Sequence, residues 1–207
     1  MKLTLIIQIS IGAILINNFI LTRMLGLCPF LCATKKISGA VKIGISVTLV
    51  MGAASVIAWL VDNIILIPYD ITFLRIVVFI LLIASLVQFT GMMIQKLSPE
   101  LNDAMRSYLP LITTNCAILA VALLTIQDNP YTGISFTLAE ALLNGIMSGV
   151  GFMIVLIIMA GIREKIESGT VLKSLEGLPI ALISAGLISL AFSGFAGLHF
   201  PSTPGGY

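Results

Sequence analysis

Charge is what this sequence has least of: Asp, Glu, Lys and Arg make up 10% of its 207 residues, against 58% hydrophobic, and the mean hydropathy is +1.14. No soluble interior of this size hides that much apolar surface, so a water-soluble globular domain is excluded. Linkers are missing as well. No Pro/Ser/Gly-rich stretch or block of like charge sets off a second domain, and no loop exceeds about twenty residues, which leaves no room for a nucleotide-binding module. A net charge of +2 without a basic cluster gives no reason to expect nucleic acid as a partner. With three cysteines and one histidine, the chain has no disulfide framework and cannot readily supply the four thiolates that an iron–sulfur centre generally needs.

What is present is a series of six apolar runs, each long enough to cross a hydrocarbon core, which takes roughly 20 helical residues. They are Leu3–Thr22, Ile43–Val61, Ile76–Gln95, Ser107–Gln127, Ala141–Ile162 and Gly177–Leu198. Lys2 ahead of the first run is reminiscent of a secretory signal. That run is longer than a signal core, however, and Arg23 follows it instead of a small-residue cleavage site, so a retained helix is expected. Alternate loops carry Arg23, Lys35, Lys36 and Lys42, then Lys96 and Arg106, then Arg163, Lys165 and Lys173, while Lys2 and Arg75 alone fall on the other side. By the positive-inside rule both termini face outward.

Three runs precede Ser98-Pro99 and three follow, which predicts one membrane domain, 1–207, made of two repeats, 1–97 and 98–207. An odd number of spans per repeat inverts the second relative to the first. Residues 3–34 carry a single charge, and as one straight helix they would extend about 48 Å, well beyond a core of roughly 30 Å. The stretch must break or re-enter. Asn17-Asn18, Gly26 and Pro29 are the candidate breakers there, with Pro110 and Thr113-Thr114-Asn115 in the second repeat. The fold class expected is therefore all-α integral membrane: six transmembrane helices as two inverted three-helix repeats with broken or re-entrant first helices. Paired discontinuous helices of this kind usually meet at a site near the membrane midplane.

Leu27-Cys28-Pro29 and Asn115-Cys116-Ala117 put a cysteine at a matching place in each repeat. Taken singly, a cysteine in an apolar helix is a small, soft hydrophobe. A Cys28–Cys116 disulfide is another reading, made unattractive by the third cysteine, Cys32. Metal or cluster ligation is the third, but Cys-Pro-Phe-Leu-Cys is not a cluster spacing, and a cluster would need ligands from another chain.

Several stretches carry a family resemblance: Asn17-Asn-Phe-Ile-Leu21, Leu25-Gly-Leu-Cys-Pro-Phe30, and above all Leu109-Pro-Leu-Ile-Thr-Thr-Asn-Cys-Ala117. Further matching segments are Leu66-Ile-Pro-Tyr-Asp-Ile71, Val87-Gln-Phe-Thr90, Arg163-Glu-Lys-Ile166 and Leu178-Pro-Ile-Ala-Leu-Ile-Ser-Ala-Gly186, so the likeness spans nearly the whole chain. Together they resemble the A-type subunit family of the Rnf ion-translocating ferredoxin:NAD oxidoreductases. The E-type subunit of the sodium-translocating NADH:quinone reductase is a related family sharing the Cys and Leu-Pro-Leu-Ile-Thr motifs. The resemblance implies a prokaryotic cytoplasmic-membrane component of a complex that passes electrons from ferredoxin through iron–sulfur and flavin subunits to NAD, coupled to Na+ or H+ transport. It further implies a [2Fe–2S] cluster held in the membrane between this chain and a homologous E-type partner, two thiolates from each. Matched by motif, the ligands here are Cys28 and Cys116.

Burying thiolates in a low-dielectric site is costly without a cation and hydrogen-bond donors. Backbone N–H groups after Pro110, and the side chains of Thr113, Thr114 and Asn115, are candidate donors; the plainer role for those side chains is helix breaking or interhelical hydrogen bonding. Asn17 and Asn18 are expected to stabilise a broken helix. Two positions depart from the family pattern. Cys32 stands where a small non-cysteine residue is usual and is expected to be a bystander, and Gly91 stands where an acidic residue is usual, which removes a basis for ion binding at that position. Two alternatives of other classes are a secondary transporter, weakened because no acidic residue falls within the six runs, and a scaffolding subunit packed through Gly145, Gly149 and Gly151. His199, a lone histidine after the last run, is expected to be interfacial or solvated, without a function.

Overall fold

The computed structural model describes residues 3–16, 18–33, 37–69, 72–97, 115–127, 135–167, 169 and 177–194. Among them every element of regular structure is helical: α1 (Leu3–Ile11), α2 (Leu27–Ala33), α3 (Ile37–Val61), α4 (Arg75–Leu97), α5 (Cys116–Thr125), α6 (Leu138–Glu167) and α7 (Leu178–Ser193). Two continuous helical stretches, Ile37–Leu66 and Leu138–Ile166, are long and apolar enough to cross a membrane. Ile6–Ile16, Arg75–Thr90, Cys116–Thr125 and Leu178–Ser193 are shorter apolar helices.

The core is built on the pairing of α3 with α6, the most extensive helix–helix contact among the described residues. Small residues set the approach. A Cβ at Gly149 would stand 2.6 Å from the Cα of Thr48, and one at Gly145 would collide with the Ser55 hydroxyl and stand 2.9 Å from the Met51 carbonyl oxygen. Lipid tails are as apolar as leucine, so helices in a bilayer associate through such close backbone packing more than through expulsion of water. Around this seam Val47, Met51, Ala54 and Ala58 of α3 and Phe152, Val155, Leu156 and Met159 of α6 are buried. The α6 start is capped by the Glu140 side chain, whose Oε2 accepts the Thr137 N–H at 3.1 Å, and the Ala141 N–H donates to the Thr137 carbonyl at 2.8 Å as the first helical bond. Trp59 Nε1–H donates to the Phe136 carbonyl at 2.6 Å and ties the same corner to α3.

The opposite situation holds on α4 and α7. Ile76, Val77, Ile80 and Leu81 on the first, and Leu182, Ile183, Leu187 and Leu190 on the second, are exposed. Rows of exposed large apolar side chains are what a surface facing hydrocarbon or another protein chain requires.

The first apolar stretch breaks, as its length demands. α1 passes into a π-helical turn, Gly12–Ile16, and the chain then turns through residues 18–26 before α2 begins. Asn18 and Gly26 bound that loop, whereas Pro29 lies within the first turn of α2. Expected as a breaker, Pro29 instead sits where a helix can accept it, because first-turn N–H groups have no intrahelical acceptor. Asn17 lies outside the described residues. The second run extends past its expected end, since α3 continues in a π turn, Asp62–Leu66. Asp62 is thereby buried inside the helical stretch instead of standing in a loop, and Arg75 at the start of α4 neutralises it with two bonds, Nε to Oδ1 at 2.8 Å and Nη2 to Oδ2 at 3.1 Å. Charge distribution along the chain marks Asp62 and Arg75 as loop residues; it does not show that each is the other's partner.

Candidate functional site

The loop between α1 and α2 is held by side chains from both ends of the sequence. Asn18 is buried and fully satisfied: its Nδ2 donates to the Ile14 carbonyl at 3.0 Å and to the Gly151 carbonyl of α6 at 3.1 Å, and its Oδ1 accepts the Ile20 N–H at 3.2 Å. The expectation that Asn18 stabilises a broken helix is met by these bonds. Ser189 of α7 donates its hydroxyl to the Leu21 carbonyl at 2.5 Å, and the Leu25 N–H closes the turn onto the Phe19 carbonyl at 2.8 Å. Beyond the loop, Arg163 of α6 donates Nη1–H to the Leu31 carbonyl at 2.7 Å, placing a cation at the C-terminal end of α2 where the helix dipole favours one.

At the end of this loop the two halves of the sequence meet. The Gly26 N–H donates to Cys116 Sγ at 3.0 Å. Gly26 adopts φ +81°, and a Cβ there would stand 2.7 Å from Phe152 Cε2, 3.1 Å from Asn115 Oδ1 and 3.2 Å from Ala117 Cβ. Only glycine takes this backbone conformation in this space without strain. Cys28 follows two residues later, at most about 7 Å of backbone away. The structure thus brings the segment that carries Cys28, in the first half of the sequence, against Cys116 in the second half. Both are free thiols, and both are exposed at the surface of this chain.

Cys116 opens α5, and Asn115 is its N-cap, with extended backbone angles and with Oδ1 accepting the Ala117 N–H at 3.0 Å. That bond fixes which end of the carboxamide is which. Asn115 is 4% exposed, and its Nδ2 is buried without a hydrogen-bond partner. An unpaired buried amide donor costs about 1–3 kcal/mol. Native sites therefore tolerate one only with a reason, such as an acceptor that arrives with a bound group.

Of the site residues expected from sequence, Cys28, Cys116 and Asn115 fall together in this region. Thr113, Thr114 and Pro110 lie outside the described residues, as does the Cys32 side chain. Sequence predicts Gly26 only as a helix breaker; its bond to a cysteine ninety residues away has no local sequence signal. Among the described residues no group of three His, Cys, Asp or Glu stands ready to hold a metal ion. The donor set present here is two exposed thiols beside a backbone N–H and an orphaned amide, which suits a sulfur-ligated anionic centre completed by ligands from outside the chain.

The chain is similar to proteins of one membrane family. Residues 6–199 match the family model described as Rnf-Nqr subunit, membrane protein. The A-type subunit of the Na(+)-translocating ferredoxin:NAD(+) oxidoreductase complex of Acetobacterium woodii is 47% identical over 193 residues, covering 93% of this chain and 97% of that protein. The A-type subunit of the ion-translocating oxidoreductase complex of Cronobacter sakazakii is 45% identical over 188 residues, 91% of this chain and 94% of that one. Its counterpart in an Azoarcus species is 44% identical over 192 residues, 93% and 96% of the two chains. With the family model covering all but the ends, and identities of this size over almost the full length of each relative, the chain belongs to the Rnf-Nqr family of membrane protein subunits.

Proposed function

We propose that this chain is the A-type membrane subunit of an ion-translocating ferredoxin:NAD oxidoreductase complex, and that Cys28 and Cys116 are two of the four ligands of a [2Fe–2S] cluster shared with a homologous E-type subunit. The observation that carries the reading is the meeting of the two cysteine segments through the Gly26–Cys116 hydrogen bond, with both thiols exposed and therefore open to a second chain. The names of the relatives support the complex and its ion-coupled electron transfer.

In this reading the cluster supplies one-electron redox chemistry within the membrane. The chain's own residues do the rest. The Cys28 and Cys116 thiolates would hold iron, the Gly26 backbone lies against the second thiol without a side chain intervening, and buried Phe152 packs behind it. Asn18, Ser189 and Arg163 hold the loop and α2 in place. The chain is not catalytic alone; it is one stepping stone in the electron path of the complex. Its six spans form two inverted three-helix repeats, 1–97 and 98–207, crossing the cytoplasmic membrane of a prokaryote with both termini outside, and the other subunits of the complex are its partners.

The test is chemical analysis of the purified complex. Cys28→Ser and Cys116→Ser are each expected to lower iron and acid-labile sulfide by about two atoms per complex, the content of one [2Fe–2S] centre. Ferredoxin-dependent NAD reduction should fall with them while the subunits still co-purify. Unchanged iron in both variants would leave a transporter-like or scaffolding role as the better reading.

A further inference from the structure

We infer that Asn115 tunes the reduction potential of the centre at Cys116, its unpaired amide donor adding to the Gly26 N–H that already lies on the sulfur. This rests on the reading of Cys116 as a cluster ligand and goes beyond it by assigning a potential-tuning role to a neighbouring residue.

The geometry has three parts. One donor is already engaged, since the Gly26 N–H lies 3.0 Å from Cys116 Sγ. The second is fixed in place. The Asn115 carboxamide cannot turn over, because its Oδ1 caps α5 through the Ala117 N–H at 3.0 Å and stands 3.1 Å from the place a Gly26 Cβ would occupy. Its Nδ2, on the residue next to Cys116, is buried and without an acceptor. Third, that donor has no partner among the described residues, the Cys116 sulfur included, and a metal-bound thiolate or a sulfide is an anionic and far stronger acceptor than the neutral thiol that only the Gly26 N–H reaches. The contrast with Asn18 is informative. That asparagine is equally buried and serves structure alone, and both of its polar ends are satisfied within the chain.

An electron entering a thiolate-ligated centre adds negative charge to its sulfurs, and donors to those sulfurs stabilise the reduced form more than the oxidised one. One electron enters and one leaves; no bond in the chain is made or broken and no proton is taken up. Asn115 is in this sense a positioning and tuning residue. It holds the first turn of α5 with its oxygen and raises the potential with its nitrogen.

The experiment is an EPR-monitored redox titration of the assembled complex with Asn115→Ser and Asn115→Asp. Serine keeps an N-cap acceptor and removes the amide donor; aspartate keeps the acceptor and replaces the donor with an anionic oxygen. Both variants are expected to retain the [2Fe–2S] signal, with a midpoint potential more negative than wild type for serine and more negative still for aspartate. An unmoved midpoint in the serine variant would overturn the inference. So would loss of the signal in both variants, which would make Asn115 a residue that holds the centre in place rather than one that tunes it. Failure of the parent reading looks different, because the wild-type complex would then show no [2Fe–2S] signal that depends on Cys116.

Discussion

Gly26 holds its backbone at φ +81°, donates to Cys116 Sγ at 3.0 Å, and has Phe152 Cε2 so close that a Cβ would stand 2.7 Å from it. Replacing it with alanine imposes a left-handed conformation on an L-residue, at about 1–2 kcal/mol, and overpacks the contact with Phe152, at about 1–3 kcal/mol more. Gly26→Ala is therefore expected to lower the thermal unfolding temperature of the purified complex by several degrees and to reduce its iron content. Gly186→Ala, where a Cβ meets nothing within 4 Å, should leave both unchanged. Sequence alone makes Gly26 conspicuous as a breaker in an apolar stretch too long for one helix, Cys28 and Cys116 by their matched positions, and Asn115 as the end of the polar run Thr113-Thr114-Asn115. It does not bring Gly26 to Cys116, because that contact depends on how the loop folds back over α6 through Asn18 and Ser189, bonds whose partners are 133 and 168 residues away. Nor does it single out Asn115 from Thr113 and Thr114, since what distinguishes an orphaned donor is the absence of a partner in space.

Among the helices, α3 and α6 carry the architecture. Their seam depends on glycines at Gly145 and Gly149, which the sequence suggests as a packing stripe and the structure places against Ser55 and Thr48. Gly161 lies on the same helix with open space where a Cβ would go. Gly149→Ala is expected to destabilise the chain by about 1–3 kcal/mol through separation of two backbones. Gly161→Ala should be neutral or gain up to about 1 kcal/mol of helix propensity. Thermal denaturation of the two variants in detergent, side by side, separates packing from any general intolerance of α6 to substitution. Apolar runs identify the central spans well because length and hydropathy dominate there. Their ends are less legible. The π turn Asp62–Leu66 carries α3 beyond its apolar run, and the bidentate Arg75–Asp62 pair makes a buried aspartate tolerable where hydropathy alone predicts a loop.

For the whole molecule, the role proposed is that of an electron carrier incomplete by itself. Two thiols sit exposed next to a closely packed interior, and apolar faces on α4 and α7 are left open to lipid or neighbouring chains. The relatives are subunits of ion-translocating oxidoreductase complexes, and a shared centre at the boundary of two homologous chains would account for thiols that this chain presents outward. Low-temperature EPR of the complex carrying Cys28→Ser, Cys116→Ser or Cys32→Ser tests that claim most directly. Loss of one [2Fe–2S] signal in the first two variants, with the Cys32→Ser spectrum unchanged, is the expected result; retention of every signal in the Cys28 and Cys116 variants would contradict the ligand role of both.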